Sequence, residues 1–574
     1  MLTLDTLPLP VLLHVVDQFP RDEIADPRII TTHVGLGEPV KLHVPEVGAL
    51  AACNRALRRQ LLPTLFSDMV FGDLGASESV LKPDDMVTRL ARPSDEVLAC
   101  VRNLCIGSLS LSALETASAY IDKMPKLERV GWYAAHPVPP LIARALCNAP
   151  SLTSLTLYGY GVDSLPGLLP LAGQVTKFYL NTIREAPIDG DVIKLCPDVP
   201  GLKRRCALAW STRNVARLAE QREAFFRHLA PFISQASKQL EELSLDGVGL
   251  IKNEMSFPWF QRLFDAMVDD DRQYPAFPRL TGLWLSSCDA KALAFTHLLK
   301  SCTETLRFLE IHSHEHGALQ APGRPLPSLR EFSYVMQDNM SCVDIVNCIT
   351  RDSPLQILNL NGARPTDIRQ IFGPPFRCGD SLRQLGFHGA PWDIWLTLSQ
   401  VQVMVAACPN LAVLDLKGSW ELEAADLLEA LEPLKKLRRF AFDHPWEKPR
   451  DIPFPWPDGR TIRSARNGDF RVVSVMGTSM EEEIARRIRE DIDAVRPTYQ
   501  QRFKDFAEQN PALELVRWSC TEVVVWEWTF ERLPGKKGQT RIICHDEADI
   551  PYGRTIVGPK LSGDGVYMTA PMRM

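Results

Sequence analysis

The sequence predicts an α/β fold, a leucine-rich-repeat solenoid with a parallel inner sheet and outer helices, curved as a horseshoe and preceded by a small all-α segment. Three observations predict it. An apolar pattern L-x-x-L-x-L recurs down the chain, and its closely spaced copies start 26, 25 and 23 residues apart at the front and 26, 23, 26, 27, 29 and 26 apart in the middle. That is the period of a leucine-rich repeat. Proline stands two residues before the first apolar position at Pro125, Pro150, Pro278, Pro327, Pro409 and Pro511, where it stops a helix and lets a strand begin. Between the copies the apolar residues switch to a helical period.

The copies begin at Val101, Leu127, Leu152, Val175, Leu240, Leu280, Leu306, Leu329, Leu355, Leu382, Leu411, Leu437 and Leu513. Pro200 marks a degenerate copy at Leu202, where Arg205 replaces an apolar residue, and FRVVSV from Phe470 is a weaker one. The segment PPLIARALCNAP places Leu141, Ile142, Ala145 and Leu146 on one helical face behind proline, and AADLLEALEPL does the same with Leu427, Leu428 and Leu431. One strand and one helix cannot bury their apolar faces alone, so successive units must stack with strands parallel and helices outside.

At the C-terminal end, Ser479 and Glu482 form a capping-box pattern ahead of Ile484, Ile488, Ile492 and Val495, and a second helix runs through Tyr499, Phe503 and Phe506. TEVVVWEWTFER and TRIICHDE, separated by PGKKG, read as a β-hairpin that caps the last core layer or serves as a separate binding element. The expected domains are 1–75, helical with an insert at about 20–46, then 76–545, the solenoid with loop insertions and capping hairpin, then 546–574, a tail without periodicity.

Composition sets the class. The 574 residues are 45% hydrophobic and 23% charged, as expected of a folded protein. With 64 basic against 70 acidic side chains and a net charge of -6, no broad nucleic-acid footprint is expected. The 14 cysteines include no C-x-x-C pair, so they read as reduced thiols, without a zinc framework. No signal peptide and no run long enough for a membrane span is expected.

Chemistry-bearing motifs are few. There is no G-x-S-x-G elbow, phosphate loop, G-x-G-x-x-G or H-E-x-x-H. His312, His314 and His316 alternate in HSHEHG, but without an evident fourth ligand they read as a polar loop, so neither a metal nor a cofactor is expected. What remains is a binding surface. Strand alternation turns offsets two, four and six of each copy away from the core. That selects Tyr133, Tyr158, Tyr179, Glu242, Asp246, Trp284, Glu310, His312 and His388 as target-binding candidates, with Arg129, Lys177, Glu331, Asp415 and Lys417 on the same face. Outward aromatics supply contact area at low entropy cost, and the acidic stretch from Glu242 to Glu331 suits a cationic partner segment.

The N-terminus does not fit the repeat. Residues 7–19, LPLPVLLHVVDQF, read as a short helix, and VGALAACNRALRRQLLPTLF resumes a helical pattern after an interruption from Pro20 to Glu46. These segments resemble an F-box: Leu7, Pro8, Leu12, Leu50, Cys53 and Arg55 stand where the family has its opening Leu-Pro, its first helix and a second helix with a small residue or cysteine followed by arginine. Pro10 departs from the family's acidic residue, and the insert is longer than usual. With the repeats, the chain resembles the F-box proteins with leucine-rich repeats. The resemblance implies a substrate receptor of an SCF-type cullin-RING ubiquitin ligase, non-catalytic and cytoplasmic or nuclear. It further implies that Leu7, Pro8, Leu12, Val16, Leu50, Cys53 and Leu57 bind a Skp-type adaptor, and through it a cullin, while the repeats hold a target protein. The other readings are a repeat scaffold whose N-terminal segment is only a cap, and a hydrolase or transferase activity lodged in the insertions.

Overall fold

The computed structural model describes residues 21–24, 40–43, 66–71, 93–107, 109, 111–134, 137–158, 160–181, 226–246, 259–268, 273–286, 293–313, 326–336, 342–350, 353–373, 376, 378–389, 396–417, 424–444, 496–520, 524–532 and 540–545. The expected adaptor residues, the helix through Ile484, and the tail at 546–574 lie outside them. The chain divides into two compact units, Met1–Thr305 with Thr569–Met574, and Leu306–Met568.

In the first unit, β1 (Arg21–Ile24) and β2 (Val40–His43) pair antiparallel inside the segment read as an insert. A parallel ladder then runs through β3 (Asp68–Phe71), β4 (Asn103–Ile106), β5 (Arg129–Trp132), β6 (Ser154–Tyr158), β7 (Lys177–Asn181), β8 (Glu242–Asp246) and β9 (Gly282–Ser286). Each strand from β4 to β9 starts at offset two of an L-x-x-L-x-L copy. β7 pairs directly with β8, Lys177 opposite Glu242, and the degenerate copy at Leu202 lies outside the described residues.

The second unit continues in the same style through β10 (Phe308–Ser313), β11 (Glu331–Met336), β12 (Ile357–Ala363), β13 (Gln384–Gly389), β14 (Val413–Lys417), β15 (Arg439–His444) and β16 (Leu515–Cys520), all parallel. β15 pairs directly with β16, and the weaker copy at Phe470 lies outside the described residues. The direction then reverses. β17 (Val524–Arg532) and β18 (Thr540–His545) are antiparallel, the expected hairpin.

The core follows from the period-two alternation. Offsets three and five are buried in strand after strand, as with Leu155 and Leu157, Leu243 and Leu245, Leu358 and Leu360, and Leu414 and Leu416. Helices cover that face: Pro140–Cys147 buries Ile142, Ala143, Ala145 and Leu146, and Ala424–Leu431 buries Leu427, Leu428 and Leu431. Leu141, expected on the buried face, is exposed, because the stripe is centred one residue further on. At the end of the second unit, the helix over residues 496–509 brings Phe503 against Trp528, ring centroids 4.9 Å apart, and Tyr499 against Trp518, 5.0 Å apart. Phe503, Trp518 and Trp528 are buried, so the hairpin closes the last core layer.

Neighbouring repeats are also tied by polar side chains just before the first leucine. Ser151 Oγ donates to the carbonyl of Pro125 (3.0 Å), Thr305 Oγ1 to Leu280 (2.8 Å), Ser381 Oγ to Leu355 (2.7 Å), and Asn410 Nδ2 to Asp380 (3.1 Å). Helix N-termini, whose first N–H groups lack helical partners, borrow acceptors from the following repeat. The N–H of Val138 donates to Ser164 Oγ (2.6 Å) and that of Cys342 to Asp367 Oδ2 (3.0 Å).

Cys100, Cys105, Cys147, Cys302, Cys342, Cys378 and Cys408 are free thiols, and the last four of these are buried. Burial pushes the Cys302 thiol up to about 12 and Cys378 to about 11, so these are packing residues. Among the described residues no helix is long and apolar enough to cross a membrane.

Candidate functional site

The outward face of each unit carries the residues expected to bind a target. In the first unit, parallel register sets Lys177 beside Glu242 and Glu242 beside Gly282, with Tyr179, Ser244 and Trp284 on the next rung. Lys177 Nζ meets Glu242 Oε1 at 2.5 Å, and the Tyr179 hydroxyl donates to the other carboxylate oxygen. The Lys177 and Glu242 side chains remain 35% and 22% exposed, so the pair is screened by solvent and adds little stability. It does cancel the local negative charge.

Two glycines shape this face. A Cβ on Gly282 would lie 2.4 Å from the Trp284 ring, and one on Gly131 would lie 2.5 Å from the Tyr133 ring. Each ring therefore folds back over the strand two residues before it, in space that only glycine leaves open. Trp284 stays half-buried, with Tyr179 tilted against it at a centroid distance of 6.4 Å. Tyr133 reaches the Cys105 thiol, which burial, then the Asp68 carboxylate, holds up at about 12. Sequence reasoning missed both glycines. The signal was a Gly-x-aromatic triplet inside a strand, where glycine has no other use.

In the second unit the expected residues are less open than their strand positions imply. Glu310 and His312 are 5% and 6% exposed, and His312 Nε2 lies 2.6 Å from Glu310 Oε1. Glu331 sits on the adjacent strand opposite Phe308, two residues before Glu310. Burial, then the Glu310 carboxylate, pushes its carboxyl up to about 8, so it holds its proton at neutral pH. His388 approaches the buried Asp415, Nε2 to Oδ2, at 3.4 Å. Arg517 of β16 pairs with Glu527 of β17 at 2.8 Å.

The structure thus brings Tyr179, Glu242 and Trp284 together in one unit and Glu310 with His312 in the other, while Tyr133 and His388 stand apart from both groups. Tyr158 and Asp246 lie on strands of the first unit. Tyr179, Glu310 and His312 differ from expectation in being buried. The carboxylates from Glu242 to Glu331 carry less charge than their residue types suggest, since Lys177 neutralises Glu242 and Glu331 is protonated. His314 and His316 fall outside the described residues, and no group of three or more metal-ligating side chains occurs among those described.

No known protein family matches this chain, and no curated protein does. Among solved structures, it is similar to a chain of the Rad7 and Elc1 complex in yeast, at 12% identity and a TM-score of 0.33, over 71% of this chain and 94% of that one. A superposition that loose carries no argument about function.

Proposed function

We propose that this chain is the target-recognition subunit of an SCF-type cullin-RING ubiquitin ligase. Residues 7–66 dock a Skp-type adaptor and, through it, a cullin, and the repeats hold a target protein. The observation that carries the reading is the succession along one chain: an F-box-like segment from Leu7 to Phe66, then strand–helix repeats whose first described strand begins at Asp68. The outward face of the first unit supports it, because Trp284, Glu242 and Lys177 there keep solvent contact while the strands beneath are locked by core packing. In this reading the chain supplies no catalytic group. It raises the rate of ubiquitin transfer by holding the target's lysine near a charged conjugating enzyme.

Affinity purification of the full chain from its native cell, scored for a Skp-type adaptor and a cullin, tests this. Both should co-purify, and Leu7→Ala with Pro8→Ala should remove them while thermal unfolding of the repeats stays unchanged. Absence of adaptor from the unmutated protein, or undiminished recovery with the double variant, refutes the reading in favour of a repeat scaffold with a helical cap.

A further inference from the structure

Tyr133 and Trp284 repeat one design on the outward face of the first unit. Each ring lies over a glycine two residues back in the chain, Gly131 of β5 and Gly282 of β9, and each stays half-buried. On the three strands between them, Thr156, Tyr179 and Ser244 are 9%, 6% and 3% exposed. The two rings thus flank a packed floor. Four strand spacings of the ladder from β5 to β9 separate them, about 19 Å across the sheet.

The polar groups beside the rings restrict the partner's chemistry. Lys177 Nζ contacts Glu242 Oε1, and the Tyr179 hydroxyl donates to Oε2, so each oxygen of that carboxylate already has a donor. Arg129, exposed at the start of β5, adds a cation. A basic segment would therefore meet Arg129 and Lys177, and an acidic one would meet Glu242 and the negative ring faces. An uncharged apolar segment remains. What this surface still has to give is donors: the other N–H groups of Lys177, the Arg129 guanidinium and the Trp284 indole N–H. That indole N–H has no partner among the described residues and, unlike those of Trp518 and Trp528, is not buried.

A polyproline II segment answers this inventory. Proline has no N–H, so such a segment brings apolar rings and carbonyl acceptors and requires no acceptor in return. An ordinary extended peptide brings an N–H at every residue, and the paired strands beneath have no carbonyl to spare for it. Proline-rich segments dock on aromatic-lined surfaces. The spacing agrees as well: with three residues per turn and a rise of about 3.1 Å per residue, prolines six residues apart share one side of the helix and lie about 19 Å apart.

We propose that the outward face of the first unit receives a proline-rich segment of the docked target, with two prolines six residues apart stacked on Tyr133 and Trp284. This rests on the target-receptor reading and adds to it the chemistry of the segment recognised.

Selection of random dodecapeptides displayed on phage over the immobilised full-length chain tests it. Selected peptides should carry prolines at two positions six residues apart. In a labelled synthetic copy followed by fluorescence anisotropy, replacing either proline by alanine should weaken binding at least about fivefold, and Tyr133→Ala or Trp284→Ala in the protein at least about tenfold. Because loss of a half-buried ring could loosen the strand, Trp284→Phe, checked for an unchanged melting temperature, keeps a ring and removes only the N–H, and it should weaken the peptide about threefold. Enrichment of basic or acidic residues, no enriched pair of prolines, or undiminished binding of the selected peptide by Tyr133→Ala, Trp284→Ala or Trp284→Phe would overturn the proposal. Adaptor co-purification reads independently: its failure removes the ligase role and leaves a proline-reading surface, and the reverse outcome leaves the receptor with a different target chemistry.

Discussion

Glu331 gives the second unit a stability that falls as pH rises. Its carboxyl is 8% exposed, on the strand next to Glu310, with no hydrogen bond or ion pair to it among the described residues. Folding lifts its pKa from 4.5 to about 8, through burial first and the Glu310 carboxylate second. Between those two values the native state holds a proton that the unfolded chain has lost, so stability is full below pH 4.5 and declines as pH rises toward 8. Each pH unit in that window removes about 1.4 kcal/mol. The loss is about 3 kcal/mol at pH 7 and about 5 kcal/mol once the native carboxyl has ionised. Glu331→Gln keeps the side chain's shape and removes the titration. Thermal unfolding of both proteins from pH 5 to pH 9 should therefore show a gap that grows in favour of the variant and levels off above pH 8. The growth should reach several degrees, on the usual scaling for domains of this size. A fixed offset from the new amide does not disturb this, because the pH dependence of the gap is what reports Glu331. A gap constant from pH 5 to pH 8, or one widening toward acid, would show that the carboxyl is already ionised in the native state.

Two further outcomes follow from the packing. Leu358→Ala and Leu414→Ala, each at a buried offset-three position, should each cost ~2 to 5 kcal/mol as core truncations do; an unchanged unfolding curve for either would take that residue out of the core. In the first unit, Trp284→Ala should weaken target capture by ~2 kcal/mol or more. Gly282→Ala should act in the same direction, because the new Cβ would meet the Trp284 ring at 2.4 Å. Full capture by both variants in a pulldown would move recognition off this face.

The repeat was legible because two periodicities coincide in it. Apolar residues at offsets three and five must share one face of any strand, and the repeat spacing, marked by proline at six of the copies, showed where strands start, so the alternation from Leu104 to Trp518 could be written from the sequence. The pairing between strands was less accessible. Nothing in residues 182–241 says that β7 lies directly against β8, and only that register joins Lys177 and Tyr179 to Glu242. The acids were therefore read as a charged surface, whereas Lys177 offsets the charge of Glu242 and burial keeps the Glu331 carboxyl protonated. Glycines were the other loss. Gly131, Gly282 and Gly386 each look like a weak spot in a strand, and their role emerges only when the neighbour that fills the missing Cβ is known. The polar residue before each first leucine was visible at Ser151, Thr305, Ser381 and Asn410, but its acceptor is a carbonyl in the preceding repeat.

The reversal of chain direction after β16 bears on assembly. A stack of parallel strands ending on a parallel edge would offer a second molecule the same hydrogen-bonding pattern and apolar layer that each repeat offers the next, and head-to-tail addition of that kind does not close. Here β17 and β18 run against the repeats, and Trp528 fills the layer that a further repeat would otherwise claim. A molecule adding at this end would meet an antiparallel partner with no open layer behind it. The hairpin therefore ends the parallel ladder and its apolar layer together, so that neither is left open at this end.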